Sequence, residues 1–350
     1  MTDLNKTVKG GKLTAGDRDL LRTLFGIDTR ALAAVRVGLS LILIVECLLS
    51  SLDVGHGPGV WNAVVRNAWL ATVPFGIMVL VGYRTRIATI AVWILFGIPI
   101  REAMFAPDVL IGLRYYTMVL AFFWMMFLPI NAHFSVDKKR GIAAPSGNFL
   151  SVAGAGFLIQ VLFIYVFSGV IKTFQEWLVV GDALHTILSS EIYPTALGEW
   201  ITRFPVFLAW SSRAVIALEV VGSLLLFVPL RGLVRRRIFL VAAFIAMHIG
   251  MALLMKLGSF PLVMIVIWLV FLPGRFWDRL TGTSLEAEHI DKYRTRNLVA
   301  WSALGFITLS SLMTWFFYPD LQGFPLVVQQ VGKFLLLYQQ WTMFSVPSSI

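Results

Sequence analysis

An all-α, polytopic membrane bundle is the fold class this sequence predicts. Of its 350 residues, 58% are hydrophobic and only 14% are charged, against roughly a quarter charged in soluble chains. Mean hydropathy is +0.81. Apolar runs recur from residue 31 to residue 317, and several exceed the ~20 residues that cross a bilayer. A spanning element in lipid must satisfy its own backbone, which leaves helices or closed barrels. Continuous, non-alternating apolar runs exclude a barrel.

The chain divides into three parts. Residues 1–30 form a basic leader with Lys6, Lys9, Lys12, Arg18, Arg22 and Arg30. It has no short apolar core and no cleavage site, so the expectation is a cytoplasmic leader rather than a signal peptide. Residues 16–26 place Leu20, Leu21, Leu24 and Phe25 on one face, the pattern of a helix lying on a membrane surface. Residues 31–317 form the bundle, with about nine spans expected at 31–52, 68–83, 86–106, 108–130, 149–172, 206–229, 238–256, 259–274 and 298–317. The second and eighth are short enough to be tilted or re-entrant. Residues 318–350 form an amphipathic tail whose LVVQQVGKFLLLYQQWTMF should pack on the membrane surface or on the loop 173–205.

The net charge of +10 is distributed as topology signals, not as a nucleic-acid surface. The leader, Arg84 and Arg86, Lys138 to Arg140, Arg231 with Arg235 to Arg237, and five residues within 275–296 hold most of the 29 Lys and Arg. With nine spans these segments all fall on one side. The positive-inside rule makes that side cytoplasmic. The N-terminus is then inside a plasma or bacterial inner membrane, and the C-terminus and the loop 173–205 are outside. Two stretches of that loop, EWLVVGDALHTIL and TALGEWITRF, read as short amphipathic surface helices.

One cysteine, Cys47, excludes a disulfide framework. The five histidines (56, 133, 185, 248 and 289) are scattered, so no metal site is expected.

Charges inside a bilayer are costly, so they pair or serve function. The expected spans contain Arg36 and Glu46, Arg101 and Glu102, Asp108 and Arg114, Arg213 and Glu219, and His248. Internal ion pairs that fix helix packing account for some of these. Their number suggests a polar cavity. Arg36 and Glu219 should point into the bundle, each toward an opposite charge or several polar groups.

The stretch from Gln160 to His185, QVLFIYVFSGVIKTFQEWLVVGDALH, is where the apolar and polar parts meet. Lys172 stands where the apolar run ends, with Trp177 just beyond it. It reads in two ways: as a snorkelling residue whose ammonium reaches the headgroups, or as a lysine in a desolvated pocket, usable as a base. The second reading requires an inward side chain with no carboxylate tightly bound. Glu176, four residues on, is the local competitor. His248 sits in FIAMHIGMALLMKLGSFPLVM; Lys256 follows eight residues later, about two turns along one helical face, beside a Gly-Ser-Phe-Pro break.

Five stretches resemble the HTTM (horizontally transferred transmembrane) domain, the membrane region of vitamin K-dependent gamma-carboxylases and their bacterial relatives. They are FGIDTRALAAVRVGLSLILI, with Arg36 at the family's arginine; FLPINAHFSVD; FIYVFSGVIKTFQEWLVVGDAL, similar to Tyr-Phe-x-x-Gly-x-x-Lys followed by Trp and Gly; MHIGMALLMKLGSFPLVM, similar to His-x9-Gly-x-Phe; and QQWTMFSVP, similar to the closing tryptophan motif. The resemblance implies that Lys172 is the base acting on a reduced, vitamin K-like lipid quinone. Oxygen addition then yields a strong base that removes a peptide glutamate γ-proton, and carbon dioxide adds. Arg36, Glu219, His248, Lys256 and Trp177 would shape the pocket.

The chain departs from the carboxylases at Ala106-Pro107-Asp108, where they carry an Asn-His pair. It also has few residues after Trp341, where they continue into a large soluble domain. The expectation is therefore that any peptide chemistry draws on a soluble outer-side partner. Two other readings stand beside the enzyme: a non-catalytic membrane subunit that anchors or assembles a partner protein, and a transporter. No inverted repeat supports the transporter.

Overall fold

The computed structural model describes residues 15–53, 60–105, 113–144, 146–172, 175–229, 232–285, 288–290, 294–317 and 326–337. In order the chain forms α1 (Ala15–Phe25), β1 (Ile27–Asp28), α2 (Thr29–Asp53), α3 (Val60–Val81), α4 (Thr85–Phe105), α5 (Leu113–Met125), α6 (Val136–Lys139), β2 (Asn148–Leu150) and α7 (Val152–Ile171). A π-helical turn, Gln175–Val180, leads to α8 (Ala183–Leu188), α9 (Ala196–Ile201) and α10 (Pro205–Ala217). A second π turn, Leu218–Gly222, continues α10 into α11 (Ser223–Leu225). Then come α12 (Leu233–Leu254), α13 (Phe260–Trp268) with a 3-10 turn at Leu269–Phe271, α14 (Gly274–Thr281), β3 (Glu288–Ile290), α15 (Arg294–Phe317) and α16 (Leu326–Leu335).

The interior follows from α2. Its buried side, with Val35, Leu39, Leu43 and Cys47, meets α3, α5 and α13. Trp124 and Trp268 are the largest fully buried side chains. At one end of the bundle three strands pair, β1 antiparallel to β2 and β2 parallel to β3. Each precedes a long helix, so the starts of α2, α7 and α15 are gathered together. Arg30 fastens this end: its guanidinium donates to both Asp28 oxygens at 3.0 and 2.7 Å, to Asp278 Oδ1 at 2.7 Å and to the Thr283 carbonyl at 2.7 Å.

Arg36 lies close by, fully buried. It donates to three carbonyls, Val79 at 3.1 Å, His133 at 3.3 Å and Phe134 at 2.6 Å. Gly82, at φ 71°, makes room for it, since a Cβ there would meet the guanidinium at 2.1 Å. The FLPINAHFSVD stretch wraps this point. Asp137 accepts from the Arg84 amide at 2.9 Å, the Thr85 amide at 3.0 Å, the Thr85 hydroxyl at 2.7 Å and Asn131 Nδ2 at 3.2 Å.

Asp137 therefore caps the start of α4. Burial pushes its carboxyl pKa up, but the Thr85, Asn131 and Arg84 hydrogen bonds outweigh burial and hold it below the usual carboxylate value. A depressed folded pKa gives stability that is present above the unfolded pKa and lost as pH falls through the folded one. Asp137→Ala should cost about 1–3 kcal/mol at neutral pH. Thermal unfolding in detergent checks this: the gap between wild type and variant should narrow as pH falls below the carboxylate range.

Among the described residues five helices are long and apolar enough to cross a membrane: Thr29–Asp53, Asn62–Val81, Val152–Ile171, Pro205–Leu225 and Leu233–Leu254. The count is six if the pair Phe260–Phe271 and Gly274–Thr281, bent by 99°, is one span. The expected count of nine is not reached among the described residues. Of the expected fourth span, 108–130, residues 108–112 lie outside the described residues, and α5 ends at Met125, where the turns leading to Pro129 begin. The second, expected to be short, begins eight residues earlier than predicted, at Val60. In the eighth, Pro273 and Gly274 turn the chain into amphipathic α14. Of the tail, the described residues form α16, which packs on α4, where Arg101 Nε donates to the Phe334 carbonyl at 2.7 Å. Glu102 beyond its backbone, Asp108, Trp341 and Ser349 lie outside the described residues.

Candidate functional site

The site forms at the far end of α7, about 30 Å along the helix from the sheet. Spacings of three and four bring Tyr165, Ser168 and Lys172 onto one face. The helix ends at Ile171, and Lys172 itself is extended at φ -60°, ψ 136°. Its side chain is 3% exposed. Lys172 Nζ donates to Ser168 Oγ at 3.0 Å and to Glu219 Oε2 at 2.5 Å, and lies 5.1 Å from the centre of the Trp177 ring.

Glu219 reaches this position through the π turn that interrupts the sixth expected span. The Ser223 hydroxyl donates to the Glu219 carbonyl and serves the wider turn. Gly169 permits the approach, because a Cβ there would stand 2.6 Å from Val220 and 3.3 Å from Glu219 Cβ. Such π turns recur at functional sites, since they rotate a side chain out of the regular helical register.

A second chain of hydrogen bonds runs alongside. Trp268 Nε1 donates to the Tyr165 hydroxyl at 2.6 Å, and that hydroxyl lies 3.2 Å from His248 Nε2. His248 Nδ1 lies 2.8 Å from the Phe244 carbonyl. A carbonyl only accepts, so Nδ1 carries the proton and Nε2 accepts from Tyr165. Both groups line a cavity of about 250 Å³ with Lys172, Glu219, Trp177 and Ser168. Apart from Ser211, its remaining wall is apolar: α7, α8, α10 and α12 supply Ile164, Leu188, Val215 and Met251 among others. Phe207 lines it and is 57% exposed, so the cavity opens beside α10.

Of the residues singled out in the sequence, Lys172, Glu219, His248 and Trp177 meet here. Arg36 does not; it is at the other end of the bundle, among carbonyls. Lys256 does not line the cavity either. The helix that carries His248 ends at Leu254, Met255 bridges to Pro194, and Lys256 is exposed beyond it. The two-turn spacing fails because the helix stops first.

The expectation that Lys172 has no tightly bound carboxylate is also overturned: Glu219 holds it, from 47 residues away. Arg213 does not pair with Glu219 as the sixth span suggested. It donates to the Leu178, Val179 and Val180 carbonyls at 2.9, 2.8 and 3.0 Å, closing the first π turn. Glu46 pairs with Arg114 at 3.1 Å. Tyr165 and Ser168 were missed in the sequence, although their places seven and four residues before Lys172 put them on its face.

Removing two charges from water costs several kcal/mol each, offset only by close pairing and further hydrogen bonds. Here the pair is close, Ser168 adds one bond, and the ammonium faces an aromatic ring. The result is a close ammonium–carboxylate pair set in the wall of a largely apolar cavity.

Apolar helices long enough to cross a bilayer, packed around such a cavity, define a multi-pass integral membrane protein. The HTTM domain matches residues 60–276, which include the cavity's Lys172, Glu219 and His248. The chain belongs to the HTTM domain family. Comparison with curated proteins and with solved structures finds no match.

Proposed function

We propose that this protein is a quinol-dependent membrane enzyme of the carboxylase-like kind, with Lys172 and Glu219 acting together as its base. The observation that carries the reading is the buried Lys172–Glu219 pair in the wall of an apolar cavity. A cavity of about 250 Å³ is small among ligand sites, so it suits a ring headgroup with the lipid tail left outside. In this reading a lipid would enter at the opening beside Phe207, which lines the cavity and is exposed. A bound reduced quinone would supply an acidic hydroxyl and reducing equivalents. The pair takes one proton as a unit: ammonium and carboxylate become ammonium and carboxylic acid, so positive charge remains at Nζ beside the ligand oxygen. Tyr165 and His248 line the same cavity, and their hydrogen bonds fix the histidine tautomer.

All nine expected helical segments span in this reading, with the N-terminus cytoplasmic and the loop 173–205 on the outer side. A peptide substrate or a soluble partner would meet the site from there. Cysteine introduced at Ser189, which is exposed, should react with a membrane-impermeant reagent in intact cells. Reaction only after lysis would reverse the orientation.

Gly250 gives the test of the ligand. It lines the cavity, and a Cβ there meets nothing within 4 Å. Gly250→Phe should fill the cavity without disturbing the packing. Mass spectrometry of lipid extracted from purified protein should find a quinone with the wild type and a loss of about tenfold or more in the variant. No quinone with either would overturn the reading.

One observation favours a second reading, a non-catalytic membrane subunit: the pair is already satisfied inside the chain and could serve only to lock α7 to the second π turn. Bound quinone separates the two.

A further inference from the structure

The FLPINAHFSVD stretch, at the end of the bundle away from the cavity, leaves a surface that the reading above does not use. A pocket there of about 370 Å³ is lined by Val81, Phe134, Ser135, Val136, Lys138 and Lys139. Phe134 has φ 49°, a left-handed conformation unusual for an aromatic residue. The residue is 75% exposed. The Arg36 bond to its carbonyl at 2.6 Å holds the backbone in that state. A buried arginine thus sustains a conformation that presents an apolar ring outward, beside two lysines.

The surroundings have one sign. Lys138, Lys139 and Arg140 are exposed, as are Arg84 and Arg86 at the start of α4. Arg140 and Arg84 stack over Tyr83, at 5.2 and 5.8 Å from its ring centre. The acid of the same turn, Asp137, is buried and faces the start of α4. Below the pocket an apolar track descends. Leu70, Pro74, Ile77 and Val81 are all exposed on α3. Their spacing of four, three and four residues makes one straight stripe, about 16 Å long.

We infer that this surface is a binding site for an anionic phospholipid. The phosphate would sit at Lys138 and Lys139, the glycerol region against Phe134, and an acyl chain along the α3 stripe. A basic cluster at the membrane surface attracts anionic headgroups, but charge alone would not call for the stripe or the outward ring. A free phosphate would use the lysines and not the stripe. A protein partner would leave the acyl-length track without a reason to begin at the basic pocket.

The test is native mass spectrometry of the full chain in detergent, titrated with phosphatidylglycerol, phosphatidylcholine or inorganic phosphate. Phosphatidylglycerol should bind roughly tenfold more tightly than phosphatidylcholine. Lys138→Gln/Lys139→Gln should remove that preference. Phe134→Ala should weaken both lipids. Arg275→Gln/Arg279→Gln, an equal charge change in the exposed residues of α14, should leave the preference intact. Equal binding of the two lipids, an equal loss in the α14 variant, or inorganic phosphate binding as tightly as the lipid would each overturn the proposal.

Discussion

Replacing Lys172 with alanine should abolish turnover of reduced quinone and lower stability by about 3–5 kcal/mol, because it strands Glu219 as a buried charge. The side chains are 3% and 6% exposed, so little solvent is present to take over the lysine's role. Lys172→Arg should not restore turnover: the guanidinium keeps the charge, but its planar fork is larger than the space that Ser168 and Glu219 leave around one nitrogen, so it displaces the Glu219 carboxylate from the ligand. Lys172→Met/Glu219→Leu removes both charges. It should recover most of the lost stability, since apolar replacements of a buried pair are often neutral or stabilising, and should still show no turnover. Unfolding by denaturant gives the stability difference and quinol oxidation gives the activity. A double variant as active as wild type would reduce the pair to a packing device.

Arg36→Met should be as costly to the fold, about 3 kcal/mol or more, and should leave the cavity alone. It would strand three carbonyls, those of Val79, His133 and Phe134, and each buried unsatisfied group costs about 1–3 kcal/mol. The loss should be read in thermal unfolding, while bound quinone per folded molecule stays unchanged because the site lies at the far end of α7. A fall in bound quinone without a fall in stability would move Arg36 back to the pocket, where the sequence placed it.

The membrane class was legible because it rests on length and apolarity, and neither depends on tertiary contact. So was the place of Lys172, where the apolar run of α7 gives out. The partner of Lys172 was not legible. Glu219 is 47 residues distant, and a π turn brings it into line, which helical periodicity cannot express. Glu176 looked like the competitor only because it is near in sequence. Lys256 was misplaced for a related reason: spacing predicts a shared face only while the helix continues, and this one ends at Leu254. Arg36 and His248 looked alike as buried polar residues. Nothing local separates an arginine that collects carbonyls at one end of the bundle from a histidine that faces the cavity at the other. The turns before Pro129 end α5 at Met125, five residues short of the expected end at 130, a proline signal that outweighed apolar length there.

Infrared difference spectroscopy, recorded on the protein in detergent as a reduced quinone is added, tests the paired base most directly. If Lys172 and Glu219 take a proton from the ligand as a unit, a carbonyl-stretch band of a protonated carboxylic acid should appear with the wild type. It should be missing with Glu219→Gln and with Lys172→Met/Glu219→Leu. A reduced quinone that binds with no such band, or with the same band in Glu219→Gln, would contradict the role given to the pair.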